Sequence, residues 1–491
     1  MESLSGRVIR GGLWMLAMQL TGYLFGAARL LILARLLTPH DFGLVGISLV
    51  VLSLINSFSD TGTQLALIRR PKRARDLFDT AWTLGLIRGG VVAGLMISLA
   101  PAVGMFFGSP EAVAIVRGMA FVPLIRGLTN IGIVEFRKEL ALRRHYLLNA
   151  VAAVADLCAA VPLALWLGNA WALVGGWLAL AGARAAMSYI LHPYRPIPRL
   201  DRGAVRELFA YGRWVFGSTA IEWLLSDGVQ TVVARLLGVA TLGLYQMGWR
   251  VASLPTMQMT EVVSGVTVAA YAKLQDSSER ARHAYLRVLR VVALVAIPIG
   301  VGIAVHAEGL VRLLLGGRWA AIVPMIQVLA LFGVIRSLAR TTAPLFQGIG
   351  RPKLQTVVAG VELGVLAALL GPLTIRYGSV GTAVAVTAGS AAGAGAALWT
   401  ARRVLGDRLG EAASLLGWPV FACLPFAALR VWVLGPVTTP LGLAGTIIIS
   451  GLLYLATLLV LDRFKLYALG PVVPSGMWPG LQKRVREGRI L

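Results

Sequence analysis

The stretch ARLLTPHDFGL at residues 34–44 recurs as ARLLGVATLGL at residues 234–244, which is 200 positions later in the chain. The match extends beyond this stretch without a shift, because Gly12 falls on Gly212 and Ser53 falls on Ser253. Both copies lie in apolar surroundings. Internal repetition in such a chain is typical of secondary transporters, which place their substrate site between the repeats. The repeat therefore predicts two homologous halves.

The composition of the chain is that of a membrane protein. Hydrophobic residues make up 57% of it, charged residues make up 14%, and the mean hydropathy is +0.77. Ordinary soluble domains carry about 25% charged residues. The two cysteines, Cys158 and Cys423, lie in separate apolar stretches, which predicts neither a disulfide framework nor a metal site. The sequence has no Walker loop, so direct ATP drive is not expected, and no cofactor is predicted.

Apolar stretches of about 20 residues, the length that crosses a bilayer as a helix, follow one another along the chain. We place fourteen spans at residues 10–36, 42–67, 80–107, 112–135, 142–166, 170–191, 208–237, 242–271, 285–306, 320–347, 353–375, 379–401, 411–434 and 441–462. The predicted fold class is an all-α polytopic membrane protein. Its expected divisions are an N-terminal lobe at 1–206, a C-terminal lobe at 207–404, two additional helices at 405–463 and a basic cytoplasmic tail at 464–491.

The basic residues lie on one side of the membrane in this arrangement. Clusters of arginine and lysine follow the even-numbered spans, for example at residues 69–75, 137–144 and 195–206, whereas the other loops hold few. By the positive-inside rule, this bias places both termini in the cytoplasm. It also accounts for the net charge of +24, which orients the protein and contacts anionic membrane lipids. A nucleic-acid partner is therefore not predicted.

Polar and charged side chains recur inside the predicted spans. An ionisable group in a bilayer is costly unless it faces a cavity or a partner, so each one is a candidate site residue. In span two, Asn56 and Asp60 are four residues apart and share one helix face. The small polar residues beside them are also compatible with tight helix packing. The candidates in the other spans are Arg29, Arg126, Asp156, Glu222, Asp227, Arg250, Glu261, Arg336, Arg340 and Glu362.

Some of these charges are expected to neutralise one another. Asp156 in span five could pair with Arg126 in span four. In the second half, Glu362 could pair with Arg336 in the same way. Asp156, Glu362 and Asp227 are therefore candidates either for charge pairs or for ion coupling.

Other arginines in the spans favour an anionic ligand. Arg29, Arg250 and Arg340 have no acid close to them in the sequence. A guanidinium can donate two parallel hydrogen bonds to a phosphate, whereas the hydroxyl and amide groups of the polar residues in the spans suit the sugars of a glycan. The sequence therefore predicts a cavity that combines these two chemistries.

Six short motifs stand in order along the chain. They are GLW at 12–14, LARLLTP at 33–39, DFGL at 41–44, LGLY at 242–245, LGGRW at 315–319 and GIGRPK at 348–353. Each motif is degenerate, but their order and spacing together resemble those of bacterial polysaccharide flippases over nearly the whole chain. These flippases belong to the superfamily of multidrug, oligosaccharidyl-lipid and polysaccharide exporters.

The resemblance implies two six-helix lobes in a V shape, related by a pseudo-twofold axis along the membrane normal, and two further C-terminal helices. It also implies that an oligosaccharide on undecaprenyl pyrophosphate moves from the cytoplasmic to the periplasmic leaflet by alternating access. Related lipid II flippases use arginines on their first and eighth helices, and Arg29 and Arg250 occupy those helices here. The acidic neighbour of the first-helix arginine is missing, since Ala28 and Leu30 flank Arg29.

The expected function is therefore that of a flippase for lipopolysaccharide (O-antigen) or exopolysaccharide biosynthesis, and not that of an enzyme. We expect a monomer in the inner membrane that binds lipid-linked oligosaccharide, with a polymerase and a chain-length regulator as partners and with H+ or Na+ as candidate coupling ions. A multidrug or cation antiporter of the same superfamily is the alternative. A membrane polysaccharide polymerase or glycosyltransferase is a more distant one. Intramembrane arginines are at least as numerous as acids, which favours the anionic substrate.

Overall fold

The computed structural model describes residues 21–22, 24–59, 77–138, 141–201, 220–272, 274, 277–406, 411–430 and 439–464, and no strand occurs among them. The helices in chain order are α1 (24–36), α2 (Pro39–Ser59), α3 (Phe78–Phe107), α4 (Glu111–Met119), α5 (Phe121–Gly127), α6 (Val134–Lys138), α7 (Leu142–Leu167), α8 (Trp171–Leu191), α9 (220–237), α10 (Val239–Ala272), α11 (Ser278–Leu310), α12 (Val323–Arg340), α13 (Thr342–Gly348), α14 (Lys353–Leu405), α15 (Glu411–Ala428) and α16 (Pro440–Arg463).

Eight of the described helical segments are long and apolar enough to cross a membrane. The longest, α14, contains two of the predicted spans, because the chain reverses direction at Gly378. This residue has a φ of 61°, which glycine adopts without the steric cost that other residues meet. The prediction of an all-α polytopic membrane protein is therefore confirmed. The count of fourteen stays a prediction, since several spans fall partly on residues outside the described ranges.

Predicted span four, 112–135, is broken into short helices instead of forming one. The chain turns at Asn130, whose side-chain oxygen accepts a hydrogen bond from the backbone of Gly132 at 2.9 Å and begins a 3-10 turn. The backbone N–H of Asn130 donates to Ser188 at 2.9 Å, and its side-chain amide donates to the carbonyl of Tyr194 at 2.6 Å. These bonds satisfy a fully buried polar residue at the break.

The described contacts divide the chain into two compact units. The first comprises Met1–Gln246 with Leu315–Trp319, and the second comprises Met247–Leu314 with Ala320–Leu491. In the second unit, α11, α15 and α16 pack around a core that includes Tyr285, Phe426 and Tyr454. The lobe limits expected from the repeat stay a prediction.

Within the first unit, the two copies of the repeated stretch contact each other directly. A Cβ built on Gly43 would overlap the carbonyl oxygen of Val239, and one built on Gly243 would overlap the carbonyl oxygen of Pro39. Residues 39 and 239 are equivalent in the repeat, and so are residues 43 and 243. The contact is therefore reciprocal, and we call these four residues the glycine clasp.

The two copies begin their helices by different means. In the first copy, the backbone N–H of Thr38 donates to Asp41 at 2.9 Å, and the backbone N–H of Asp41 donates to the Thr38 hydroxyl at 3.3 Å. These reciprocal bonds cap the start of α2, where Pro39 is the first residue. The second copy uses Gly238, with a φ of 86°, to end α9 and begin α10. The backbones of the two copies therefore approach each other reciprocally, although different local interactions begin the two helices.

Trp319 packs against the first copy of the repeat. Its side chain is fully buried, and its indole N–H donates to the carbonyl of Ala34 at 2.8 Å. Its ring meets that of Phe42 edge to face, with 5.4 Å between the centroids. The LGGRW motif that contains Trp319 therefore packs on the helix-one exit, far away in the sequence.

The segment after α8, residues 192–201, lies along the first turns of α3. Oδ1 of Asp79 accepts hydrogen bonds from the Tyr194 hydroxyl and, at 2.9 Å, from the backbone of Ile197. The backbone N–H of Arg199 donates to Thr83 at 3.0 Å. Burial and the bond to this carboxylate raise the pKa of Tyr194. Residues 192–201, which follow the sixth predicted span, are thus held against α3.

Candidate functional site

Arg29 of α1 forms an ion pair with Asp156 of α7. The Nε of Arg29 lies 2.8 Å from Oδ2 of Asp156, and the two side chains expose only 17% and 9% of their surface. The pairing of Asp156 with Arg126 expected from the sequence is wrong. Helix packing, and not the order of spans along the chain, decides which arginine reaches the carboxylate.

Gly176 on α8 makes room for this pair. A Cβ built on Gly176 would overlap Oδ1 of Asp156 and would lie 3.5 Å from Nη2 of Arg29. Among the described residues, neither Oδ1 of Asp156 nor Nη2 of Arg29 has a hydrogen-bond partner, although both atoms are buried. The pair therefore keeps a buried donor that an anionic ligand could use.

Arg126 of α5 lies against α8, the helix that carries Gly176. Its guanidinium carbon is 5.6 Å from the centre of the Trp177 ring, on the residue next to Gly176. Such a cation over an aromatic face gains roughly 0.5–1 kcal/mol when exposed. Arg184, also on α8, repels Arg126 electrostatically. Two positive charges thus lie close together at this face of α8.

The second predicted pair is confirmed. Arg336 of α12 forms an ion pair with Glu362 of α14, and their side chains expose 19% and 15% of their surface. The Arg336 guanidinium also lies 5.6 Å from the centre of the Phe332 ring, one helical turn earlier. A Cβ built on Gly393 would lie 3.3 Å from Oε2 of Glu362. The tight space at Gly393 holds the carboxylate against its arginine.

Both acids are therefore placed in the same way. Asp156 faces Gly176 and Glu362 faces Gly393, so each carboxylate fills the space that a missing side chain leaves on the next span. The arginines are not equivalent in the repeat, since one comes from the first span and the other from the tenth. The repeated feature is the acid with its glycine, and the arginine is supplied differently in each unit.

Asn56 of α2 is bound by an arginine that the sequence-based candidates omitted. The Nη2 of Arg88, on α3, donates to Oδ1 of Asn56 at 3.0 Å, and its Nε donates to the Ser59 hydroxyl at 3.2 Å. An arginine in the interior of predicted span three is itself a candidate site residue, because an ionisable group in a bilayer needs a partner or a cavity. Its position among apolar residues was sufficient to find it.

Asp227 lies in a π-helical turn of α9, Leu224–Gly228. It accepts hydrogen bonds from the hydroxyl of Ser53 on α2 at 2.6 Å and from the side-chain amide of Gln230 at 3.1 Å. Among the described residues it forms no ion pair. Asp227 is thus held by neutral donors, unlike Asp156 and Glu362.

The remaining candidates are placed individually. Glu222 is exposed on α9, Arg250 is half-buried in α10, and Arg340 is exposed in the last turn of α12. Asp60 lies outside the described residues, and so does the side chain of Glu261, although the α10 backbone includes it. Within the described part of the chain, no group of three histidine, cysteine or acidic residues could hold a metal ion.

Charge in the spans of the first unit is predominantly positive. Away from the helix ends, α1–α9 contain Arg29, Arg88 and Arg184, and Arg126 lies in the last turn of α5, whereas Asp156 and Asp227 are the acids at interior positions among the described residues. Groups of this kind in a bilayer require partners or a water-filled cavity. The arrangement can therefore attract and bind an anion with several oxygen atoms.

Comparison with known proteins gives a consistent set of relatives. The family described as polysaccharide biosynthesis protein matches residues 32–324. The lipopolysaccharide biosynthesis protein WzxC of Escherichia coli (strain K12) is 26% identical over 353 residues, which are 71% of this chain and 71% of WzxC. The succinoglycan biosynthesis transport protein ExoT of Rhizobium meliloti (strain 1021) is 25% identical over 324 residues, 65% of each protein.

Two solved structures share the fold. The lipid II flippase MurJ, in an inward closed conformation, superposes with a TM-score of 0.73 at 12% identity, over 93% of this chain and 100% of that one. An inward-facing multidrug resistance transporter of the MATE family superposes with a TM-score of 0.63 at 18% identity, over 78% and 94% of the two chains. At these identities the likeness is one of fold.

Proposed function

The chain belongs to the family of polysaccharide biosynthesis proteins, and on that premise we propose that it is a flippase for lipid-linked oligosaccharide repeat units. The unit, carried on undecaprenyl pyrophosphate, would move from the cytoplasmic to the periplasmic leaflet by alternating access. Relatives named for lipopolysaccharide biosynthesis and succinoglycan transport support export of a surface polysaccharide. The transport named for ExoT also supports a transporter and not an enzyme.

The observation that carries this proposal is the excess of arginine in the spans of the first unit. A pyrophosphate-linked substrate has to bring several negative charges through the membrane. Guanidinium groups suit this task, because they stay charged, bind phosphate oxygens in pairs and are less strongly hydrated than ammonium groups. The buried, unused Nη2 of Arg29 is a donor of this kind.

We assign binding roles to the candidate residues on the same basis. The pyrophosphate and adjacent anionic sugars would contact the arginines, and the sugar hydroxyls would contact amide and acid groups. The arginines are Arg29, Arg126, Arg250, Arg336 and Arg340, and the sugar-binding residues are Asn56, Asp60, Glu222 and Glu261.

A multidrug or cation antiporter is the second candidate, since MATE-family transporters share the fold. A cavity dominated by carboxylates would support a cation substrate. The described spans of the first unit have the opposite balance, which supports the anionic substrate. Coupling to H+ or Na+ is compatible with either function and belongs to the proposal.

The setting of this activity follows from the same reasoning. We propose a monomer in the inner membrane, with anionic lipids around its basic loops and a polysaccharide polymerase and chain-length regulator acting on its product. Both termini would be cytoplasmic.

Reporter fusions test this orientation. Fusions after Gly108, Gly168 and Thr439 should report the periplasm, because few basic residues lie in those loops. Fusions after three further residues should report the cytoplasm, namely Arg75, Arg144 and Leu491. Two or more reversed reporters would contradict the proposed topology.

Deletion of the gene tests the function itself. We expect loss of surface polysaccharide and accumulation of lipid-linked repeat units in the inner leaflet, because the unit is assembled but not moved. The measurement is surface polysaccharide together with extracted lipid-linked saccharide, with the wild-type gene restored as the control. Normal surface polysaccharide in a strain without a paralogue would reject the flippase, and drug hypersensitivity in its place would support the antiporter.

A further inference from the structure

A row of polar side chains runs from Asp227 to the glycine clasp. The amide of Gln230 donates to Asp227 at 3.1 Å, and its oxygen accepts from the amide of Gln246 at 2.6 Å. A Cβ built on Gly46 would lie 2.8 Å from that Gln246 amide, so Gln246 lies against the α2 backbone one turn beyond Gly43. We call Ser53, Asp227, Gln230 and Gln246 the polar seam. It joins α2 of the first repeat to α9 and α10 of the second.

Among the described residues, the carboxylate of Asp227 accepts hydrogen bonds from neutral donors. Its partners are the hydroxyl of Ser53 at 2.6 Å, the amide of Gln230 at 3.1 Å and the hydroxyl of Ser226 at 3.5 Å. A carboxylate without a counter-ion inside a membrane is costly, and binding a proton removes that cost.

The other charged groups on the helices around Asp227 form no ion pair with it among the described residues. Glu222 is exposed one turn back on the same helix, and Arg88 of α3 donates to Asn56 and Ser59 on α2. The remaining charged groups on these helices are His40 and Asp41 at the capped start of α2, Asp79 at the start of α3, Arg235 near the end of α9, and Arg250 and Glu261 on α10. The side chain of Glu261 lies outside the described residues. Asp60 lies outside the described residues.

We propose that Asp227 is the proton-binding group of this transporter and that its protonation loosens the polar seam and opens the glycine clasp. As a carboxylate, Asp227 accepts from Ser53 and Gln230 at the same time. A proton on Oδ1 removes the bond from the Gln230 amide, because that N–H cannot accept, whereas a proton on Oδ2 reverses the bond with Ser53, whose hydroxyl can accept. The π-helical turn assists this change, because such a turn is a local register defect within a helix and is frequent at functional sites. The proposal rests on the flippase function and names its coupling ion.

The geometry selects a proton over Na+. A bound cation needs several oxygen atoms that act as acceptors toward it. Around Asp227, the Ser53 hydroxyl and the Gln230 amide both direct hydrogens at the carboxylate, and the Gln230 oxygen is already occupied by Gln246. The described groups can exchange a hydrogen bond but do not form a cation cage.

Proteoliposomes containing the full-length protein test this assignment. The probe is undecaprenyl-pyrophosphate-linked saccharide extracted from the deletion strain, and its transfer is followed with and without an imposed pH gradient. We expect the gradient to accelerate the wild type at least fivefold and to have no effect on Asp227→Asn, which imitates the protonated state. Glu308→Gln is the matched control, because Glu308 is half-exposed and paired with Arg312 at 3.0 Å, and it should keep the full gradient response.

A second variant serves if Asp227→Asn does not fold. Ser53→Ala keeps the carboxylate but removes a bond that favours its charged form, so the pH of half-maximal transfer should move to higher values. An unchanged response to the pH gradient in Asp227→Asn would overturn the proposal. If that variant does not fold, an unchanged pH of half-maximal transfer in Ser53→Ala would do the same. Transfer by the wild type that is driven by Na+ and not by pH would also overturn it. A wild type that moves no saccharide under any gradient would instead reject the flippase function.

Discussion

Alanine at Gly43 or Gly243 is expected to reduce transport by about tenfold or more while the protein still inserts and accumulates. The added methyl group would overlap the carbonyl of Val239 or of Pro39, so the two copies of the repeat could not approach to their present distance. Overpacking of this kind costs typically about 1–3 kcal/mol, and about 1.4 kcal/mol changes an equilibrium tenfold. Because the clasp joins two transmembrane helix starts, the cost falls on any state in which these helix starts are in contact.

Transfer of lipid-linked saccharide per unit of folded protein measures this effect. Gly94→Ala is the matched control, since nothing lies within 4 Å of a Cβ built on this glycine of α3. A cysteine at Ser57, in a chain without Cys158 and Cys423, would report opening through its labelling by an impermeant maleimide. Wild-type transport and labelling in both clasp variants would show that the close approach is not needed.

Removal of Arg336 alone is expected to destabilise the protein strongly. It leaves the carboxylate of Glu362 buried without its partner, and breaking such a pair typically costs about 3–5 kcal/mol. Replacing both residues, in Arg336→Leu with Glu362→Leu, should restore most of the stability, because an apolar pair leaves no uncompensated charge. Melting temperature in detergent and the amount of folded protein measure both effects.

The double variant also separates structure from binding. If Arg336 contacts the pyrophosphate, the variant should be stable and abundant and yet export little polysaccharide. Full export from the stable double variant would remove Arg336 from the site. Arg376→Ala is the control, since this arginine lies 5.5 Å from the ring of Tyr377 and forms no ion pair among the described residues.

Local and periodic features could be predicted from the sequence. The repeat and the apolar spans follow from sequence patterns, and the pairing of Arg336 with Glu362 joins two spans that are adjacent in the sequence. The partner of Asp156 could not be predicted in this way, because Arg29 belongs to a span that is distant in the sequence. Nothing in the sequence distinguishes it from Arg126 until the helices are packed.

Other features left a signal that sequence reasoning did not use. Arg88 stands alone in an apolar span, which is unusual enough to mark it. The prolines at residues 193, 196 and 198 predict an extended segment of the kind that lies on α3. The π-helical turn at Asp227 has no comparable signature, since its sequence is compatible with an ordinary helix.

The glycine clasp has the geometry of an isologous interface, the kind that two identical subunits form across a twofold axis. Position 43 approaches position 239, and position 243 approaches position 39, all within one polypeptide. What each glycine approaches is a backbone carbonyl, which every residue type carries. The approached residue could therefore become proline in one copy and valine in the other, whereas the approaching residue is glycine in both. Comparison of the two halves by identity alone consequently understates how closely they are equivalent at this contact.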